Sequence, residues 1–320
     1  MRIFVRLAGA FFLLALVAIG AGCRRPAPGP MAKDHPGLDP RPSGLALWEG
    51  VPAPDPEGRT IDLSRPDSLG RSFEPQPEQD LVYEAAMKGE AWAQTKLGKS
   101  YVASPDDAQR MQQGIDFLRR AADQEDAEAF YVLASLSAAG AGMEQSNVGA
   151  FGQMKRAAEL GFTEAQFALG TMYFEGVGTT RDDSAAITWL GKAAESGHQE
   201  AMFIAARLML SRPDPDMRSK GLAMMNRATD NGHIQATLML ATAYGRGQNG
   251  LPKDEVKAET LLKPAAERGD ADCQFVLASL YKFGDAFAAR RDEAQVWLQR
   301  AADQGHPKAL EVLRSESEER

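Results

Sequence analysis

The stretch TEAQFALGTMYFEGVGTTRDDSAAITWLGKAAESGH (Thr163–His198) holds two helical periods separated by a glycine-rich break. Ala165, Leu169 and Tyr173 follow one another in steps of four, which puts them on one stripe of a helix. Gly176 and Gly178 then interrupt the run, as residues that leave a helix easily do. A second period follows Asp182 and Asp183, carries Trp189-Leu190, and ends on the small pair Ala193-Ala194 before Gly197. Small residues let helices approach closely, and a glycine just past the last periodic position suits a left-handed cap. The stretch therefore predicts a helix, a turn and a second helix.

Outward from it, the same ending recurs as Ala85–Gly89, Arg120–Glu125, Arg156–Gly161, Lys192–Gly197, Arg227–Gly232, Pro264–Gly269 and Arg300–Gly305. Counted between closing residues, the steps are 36, 36, 36, 35, 37 and 36, the signature of a stacked repeat array. Four residues after each closing position stands a small residue: Ala93, Ala129, Ala165, Ala201, Ala236 and Cys273. Four further on come Leu97, Leu133, Leu169, Ala205, Leu240 and Leu277, and after another four Tyr101, Ser137, Tyr173, Met209, Tyr244 and Tyr281. Every repeat thus presents one buried stripe on its first helix. Bulky pairs such as Phe117-Leu118 and Trp297-Leu298 do the same on the second.

This pattern resembles the Sel-one-like repeat, a relative of the tetratricopeptide repeat, over about residues 78–313, as six helix pairs with a half-repeat at each end. The resemblance implies an all-α fold, a right-handed superhelical α-solenoid, followed by a charged tail at 314–320. Repeats two and four depart from it: Ser137 and Met209 replace the expected tyrosine, and Gln153 and Met224 the bulky aromatic. Pro264 falls inside a second helix, where it removes a backbone bond and is expected to kink it.

The start of the chain is different. Residues 1–22 read as a signal peptide: Arg2 and Arg6 precede the uncharged apolar run Leu7–Ala21, which is shorter than a spanning helix needs. AIGAGC, ending in Cys23, resembles a bacterial lipoprotein signal, with Gly20 where that pattern usually has leucine. The resemblance implies lipid attachment at Cys23 and, because Arg24 is not the aspartate of an inner-membrane retention signal, an outer-membrane lipoprotein facing the periplasm. The alternative is ordinary cleavage and a soluble periplasmic protein. Residues 23–77 form a linker, and 12 of the 18 prolines lie in it; without a helical or alternating period it reads as a disordered, semi-rigid tether. One apolar patch around Trp48 could dock on the folded part or on a partner.

Several classes of function are disfavoured. A formal charge of -8 argues against nucleic acid, which requires a basic face. Two cysteines cannot make a disulfide framework. His35 sits in the linker, and His198, His233 and His306 each follow a closing glycine, so they are spread along the array as helix-start residues rather than gathered at a metal or catalytic centre. Cys273 occupies the small-residue slot and reads as a buried, inert thiol. Asp106-Asp107 and Asp182-Asp183 open second helices, where carboxylates cap. GVG at 176–178 is a turn, since no strand precedes it. No cofactor, metal site or catalytic residue is expected.

What remains is a surface. By resemblance to tetratricopeptide repeats, first helices line a concave face, exposing the sixth, tenth and thirteenth residues after each closing position. The sixth are Thr95, Tyr131, Phe167, Phe203, Leu238 and Phe275, and the tenth Lys99, Ser135, Thr171, Arg207, Thr242 and Ser279. Two readings stay open: a track that binds a partner protein through Tyr131, Phe167, Phe203, Phe275, Lys99 and Arg207, or packing between neighbouring repeats. The expected function is a non-enzymatic scaffold or adaptor of the bacterial envelope, tethered to a membrane by its N-terminal lipid and binding protein partners in the periplasm. The alternatives are a saccharide-binding or export-complex component and a cell-wall-active enzyme.

Overall fold

The computed structural model describes residues 77–104 and 107–318. The signal peptide, Cys23, His35, Trp48 and the proline-rich segment lie outside the described residues, as do Pro105 and Asp106. Fourteen α-helices and no strand are found among the described residues. In chain order they are α1 (Pro77–Met87), α2 (Ala91–Val102), α3 (Ala108–Ala122), α4 (Ala127–Ala139), α5 (Asn147–Glu159), α6 (Thr163–Glu175) and α7 (Asp183–Glu195). There follow α8 (Gln199–Leu210), α9 (Pro215–Asp230), α10 (Ile234–Arg246), α11 (Glu255–Glu267), α12 (Ala271–Phe283), a 3-10 segment (Asp285–Arg290), α13 (Arg291–Asp303) and α14 (Pro307–Glu318). The last helix continues past residue 313 into the charged tail.

The helices stand where capping chemistry predicts. Asp107, Asp126, Ser146, Asp182, Asp214, Asp254 and Asp270 each accept a backbone N–H from the first turn of the helix they precede. At the other end, Gly89, Gly161, Gly197, Gly232, Gly269 and Gly305 close second helices with φ between 80° and 102°. Glu125 holds the same left-handed place without being glycine, at φ 63°. Pro264 is accommodated in α11: the helix runs on to Glu267, and the proline carbonyl accepts the Arg268 N–H.

The chain divides into two compact units, one of residues up to Ala165 with Val177–Thr179, the other of Gln166–Gly176 with the residues from Thr180 onward. In the first, α1 packs on α2, α2 pairs with α3, and α4 with α5. Its cores are Val82, Ala93, Leu97, Tyr101 and Phe117, and then Ile115, Leu118, Ala129, Leu133 and Leu136. A Cβ on Gly98 would stand 2.7 Å from Leu118 Cγ and 2.9 Å from the Gly114 carbonyl, so α2 and α3 touch backbone to backbone only because both residues are glycine. In the second unit α8 pairs with α9, α10 with α11 and α12 with α13 around one continuous core that includes Leu190, Ala205, Leu240, Leu277 and Trp297. The stripe predicted from sequence is the one buried. All six small-slot residues, Cys273 among them, are inaccessible to solvent, and the Leu or Ala four residues on is buried in every repeat.

Candidate interaction surface

The aromatic residues at the sixth position lie at the joints between successive repeats. Phe167 stacks on His198 with ring centroids 4.2 Å apart, Phe203 on His233 at 4.9 Å and Phe275 on His306 at 4.7 Å, all within 24° of parallel. In the first unit Tyr131 meets Phe162 instead, at 5.2 Å and a 54° tilt. Burial, and next the Glu164 carboxylate, push the Tyr131 hydroxyl above its ordinary range. Thr95 and Phe203 are buried, whereas Tyr131, Phe167, Leu238 and Phe275 keep part of their surface in water. One flank of each ring is thus covered by the next repeat, and in three of the four aromatic copies an edge stays open.

The histidines act as helix starts. Nδ1 of His198, His233 and His306 accepts the backbone N–H of Ala201, Ala236 and Ala309, at 3.1, 3.2 and 3.1 Å. A ring nitrogen that accepts carries no proton, so the proton of the neutral ring sits on Nε2. From there His233 reaches Glu200 Oε2 at 3.0 Å and His306 reaches Asp272 Oδ1 at 3.1 Å, each on the first helix of the preceding repeat. A single side chain therefore caps its own helix, stacks on one aromatic and bonds one acid. Sequence reasoning found the cap and missed the acid. The signal lay in the third position after the closing residue, which is acidic in four of seven copies, Glu128, Glu164, Glu200 and Asp272.

The tenth position is polar and mostly occupied. Lys99 pairs with Glu128 of the next first helix. Ser135, Thr171 and Ser279 hydroxyls donate to their own helix carbonyls, at Tyr131, Ala168 and Phe275. The Arg207 guanidinium lies 5.6 Å from the Phe203 ring centre. Arg207 covers the aromatic that the other repeats leave partly open.

The groups with potential chemistry are built in as structure. Cys273 is buried, and burial, with Asp270 next in effect, pushes its thiol well above the ordinary range. Asp182 caps α7 through Ser184 and Ala185, and Asp183 bonds Arg181 at 2.8 Å and pairs with Arg212. Among the described residues no group of three or more His, Cys, Asp or Glu is placed to hold a metal ion. Near the C-terminal end, Arg290 bonds Glu259, Glu293 and the Tyr281 hydroxyl, a lock between α11, α12 and α13 that the repeat pattern did not announce. An open cleft lined by Lys282, Phe283, Arg291, Gln295 and Glu316 lies beside α12 and α13.

With this geometry in view, the comparisons with known proteins are specific. The Sel1 repeat family matches residues 93–126, 163–198, 234–270 and 271–306. A Sel1 repeat protein from Oxalobacter formigenes, 27% identical, superposes with a TM-score of 0.60 over 73% of this chain and 68% of its own. A protective antigen present in uropathogenic Escherichia coli strains, described as displaying an SLR fold, is 28% identical with a TM-score of 0.62; the match covers 72% of this chain and half of the other. No curated protein matches the chain. Four matches to the Sel1 repeat model, in a fold similar to that of solved Sel1 repeat proteins, show that the chain carries Sel1 repeats, and proteins built from them typically act as protein-interaction scaffolds.

Proposed function

We propose that this chain is a non-enzymatic scaffold of the bacterial envelope, anchored through a lipid on Cys23, that holds a partner protein on the first-helix face of its repeats. The observation that carries the reading is the half-open run of Phe167, Leu238 and Phe275 in the second unit, with Tyr131 at the same register position in the first. Each of these aromatic rings is fixed from behind by a neighbouring ring, so it meets a partner with little rotamer freedom left to lose. Lys99 and Arg207 supply the charged rim. A repeat array of this kind offers an extended surface rather than a single pocket, which suits an adaptor.

The test is crosslinking in the envelope followed by recovery of the tagged protein. Phe167→Ala with Phe275→Ala and Arg207→Glu leaves the buried Phe203 in place, and recovery of the specific partner should fall at least tenfold. Unchanged recovery by a variant with parental helicity overturns the surface assignment. For the anchor, palmitate labelling of the parent should vanish in Cys23→Ala, and a parent that takes no label is not a lipoprotein.

A further inference from the structure

Four first helices begin within the second unit, and their caps are of two kinds. At the start of α12, Asp270 Oδ1 accepts the Cys273 N–H at 2.8 Å. At the starts of α8, α10 and α14 the acceptor is Nδ1 of His198, His233 and His306. The two kinds answer acid differently. A carboxylate stays ionised until the pH nears about 4, while an imidazole takes its second proton near about pH 6.5. A ring that holds both protons donates at both nitrogens, so its Nδ1–H then faces the backbone N–H that it had accepted. The histidine cap does not survive that proton.

The surroundings of the rings let them take up charge within the fold. His233 Nε2 lies 3.0 Å from Glu200 Oε2, and His306 Nε2 lies 3.1 Å from Asp272 Oδ1. Each ring also stacks on an aromatic face, Phe203 or Phe275, which attracts a cation. The His233 and His306 side chains are only 12% and 9% exposed, but Glu200 and Asp272 are 51% and 57% exposed, so a proton reaches each pair from water. Other charged groups stand close in the chain. The last turn of α9 brings Arg227 and Asp230 to the His233 joint. The last turn of α13 brings Arg300, engaged with the Trp297 ring, and Asp303, bonded by Gln299, to the His306 joint, and Lys308 lies in the first turn of α14. Two things oppose the charge: Arg207 against the Phe203 ring, and the partly positive N-terminus of each capped helix. The second of these pushes a charged ring off the helix start and toward its acid.

We propose that these histidines make the helix starts of the second unit a proton-operated switch. In mild acid each ring releases the first turn of its own helix and stays on its aromatic partner, and His233 and His306 are held there by the acid of the preceding repeat. The first turns of α8, α10 and α14 then open, while that of α12, capped by Asp270, stays closed. The aromatic row is built on these rings, so acid reshapes it as well; that consequence rests on the partner face proposed above, and the switch itself does not.

The test is NMR of the full chain between about pH 7.5 and 5.5. The three Nδ1 atoms should pass from unprotonated to protonated with helicity retained. Over the same range, amide exchange at Ala201, Ala236 and Ala309, corrected for its intrinsic pH dependence, should rise about fivefold, as expected for a lost cap, and at Cys273 should change less than about twofold. His233→Asp with His306→Asp should abolish the response at Ala236 and Ala309 and keep it at Ala201. That variant should fold as the parent does, since aspartate already caps α12. Glu200→Gln keeps an acceptor but removes the charge, so protonation of His233 should need a lower pH while that of His306 is unmoved, a shift that a purely structural ring would not show. Rings whose Nδ1 stays unprotonated at the acid end in the folded chain overturn the proposal. Equal loss of protection at histidine-capped and aspartate-capped starts overturns it too, as does a response at Ala236 and Ala309 that persists in the double variant, or a His233 that ignores Glu200→Gln.

Discussion

The joint between α3 and α4 and the joint between α9 and α10 meet the same backbone demands with different side chains. Each ends its second helix on a left-handed residue, Glu125 at φ 63° in one and Gly232 at φ 83° in the other. Each caps the next helix with the following residue: Asp126 Oδ1 accepts the Ala129 N–H at 2.8 Å, and His233 Nδ1 accepts the Ala236 N–H at 3.2 Å. Beyond that they diverge. Glu125 reaches forward to Arg156 on the next second helix, while His233 reaches back to Glu200 and stacks on Phe203. Backbone geometry is held constant along the array, and the linkage between repeats is free to vary.

If that is right, packing behind the two joints should be equivalent. Leu133 and Leu240 fill the same slot, both buried. Leu133→Ala and Leu240→Ala should each cost about 2–5 kcal/mol through lost transfer energy and the cavity left behind. Urea denaturation with helicity as the signal measures both. A difference of more than about 2 kcal/mol between them would mean that the joint chemistry reaches into the core, and the equivalence fails.

The caps come next. Asp126→Ala removes one acceptor from a helix start and should cost about 1 kcal/mol. His233→Ala removes the cap, the stack on Phe203 and the bond to Glu200 together, so its loss should be larger, at about 2 kcal/mol. His233→Asp separates these contributions, because aspartate caps the equivalent helix at Asp126 and Asp270. It should recover about 1 kcal/mol of the alanine loss. Recovery of all of it would show that the histidine contributes nothing between repeats. Recovery of none would show that capping is not its role.

Much of this was legible in the sequence because a repeat array buries each helix by the same short-range rule. The spacing of four that marked Ala93, Leu97 and Tyr101 marked a buried stripe, and the closing glycines marked left-handed caps. The surface was less legible for a physical reason. Whether Phe167 or Phe203 faces water depends on what the next repeat places against it, and the partner ring lies 30 or more residues away at His198 or His233. Arg207 covering Phe203, and Arg290 joining Glu259 to Tyr281, are side-chain meetings across helices that no period encodes. Single-position chemistry was easier: Cys273 in the small slot, the aspartate caps and the histidine starts all follow from local register.

The smallest expected effect is the most discriminating between the two joints. Gly232→Ala puts a Cβ on a left-handed residue and should cost about 1 kcal/mol. Glu125→Gly is the reverse exchange, yet its benefit is opposed twice. Glycine gains freedom in the unfolded chain, worth about 0.5–1 kcal/mol, and the pair with Arg156 is lost. Both partners of that pair are largely exposed, so it contributes between about 0 and 1 kcal/mol and is screened by salt. At low ionic strength the contributions should cancel to within about 0.5 kcal/mol. In 1 M salt the pair is screened and the relief of the left-handed strain remains, so the urea midpoint of Glu125→Gly should move up relative to the parent. A midpoint difference that ignores salt would mean that Glu125 owes its place to the backbone alone, and the forward link to Arg156 would no longer distinguish this joint from the one at His233.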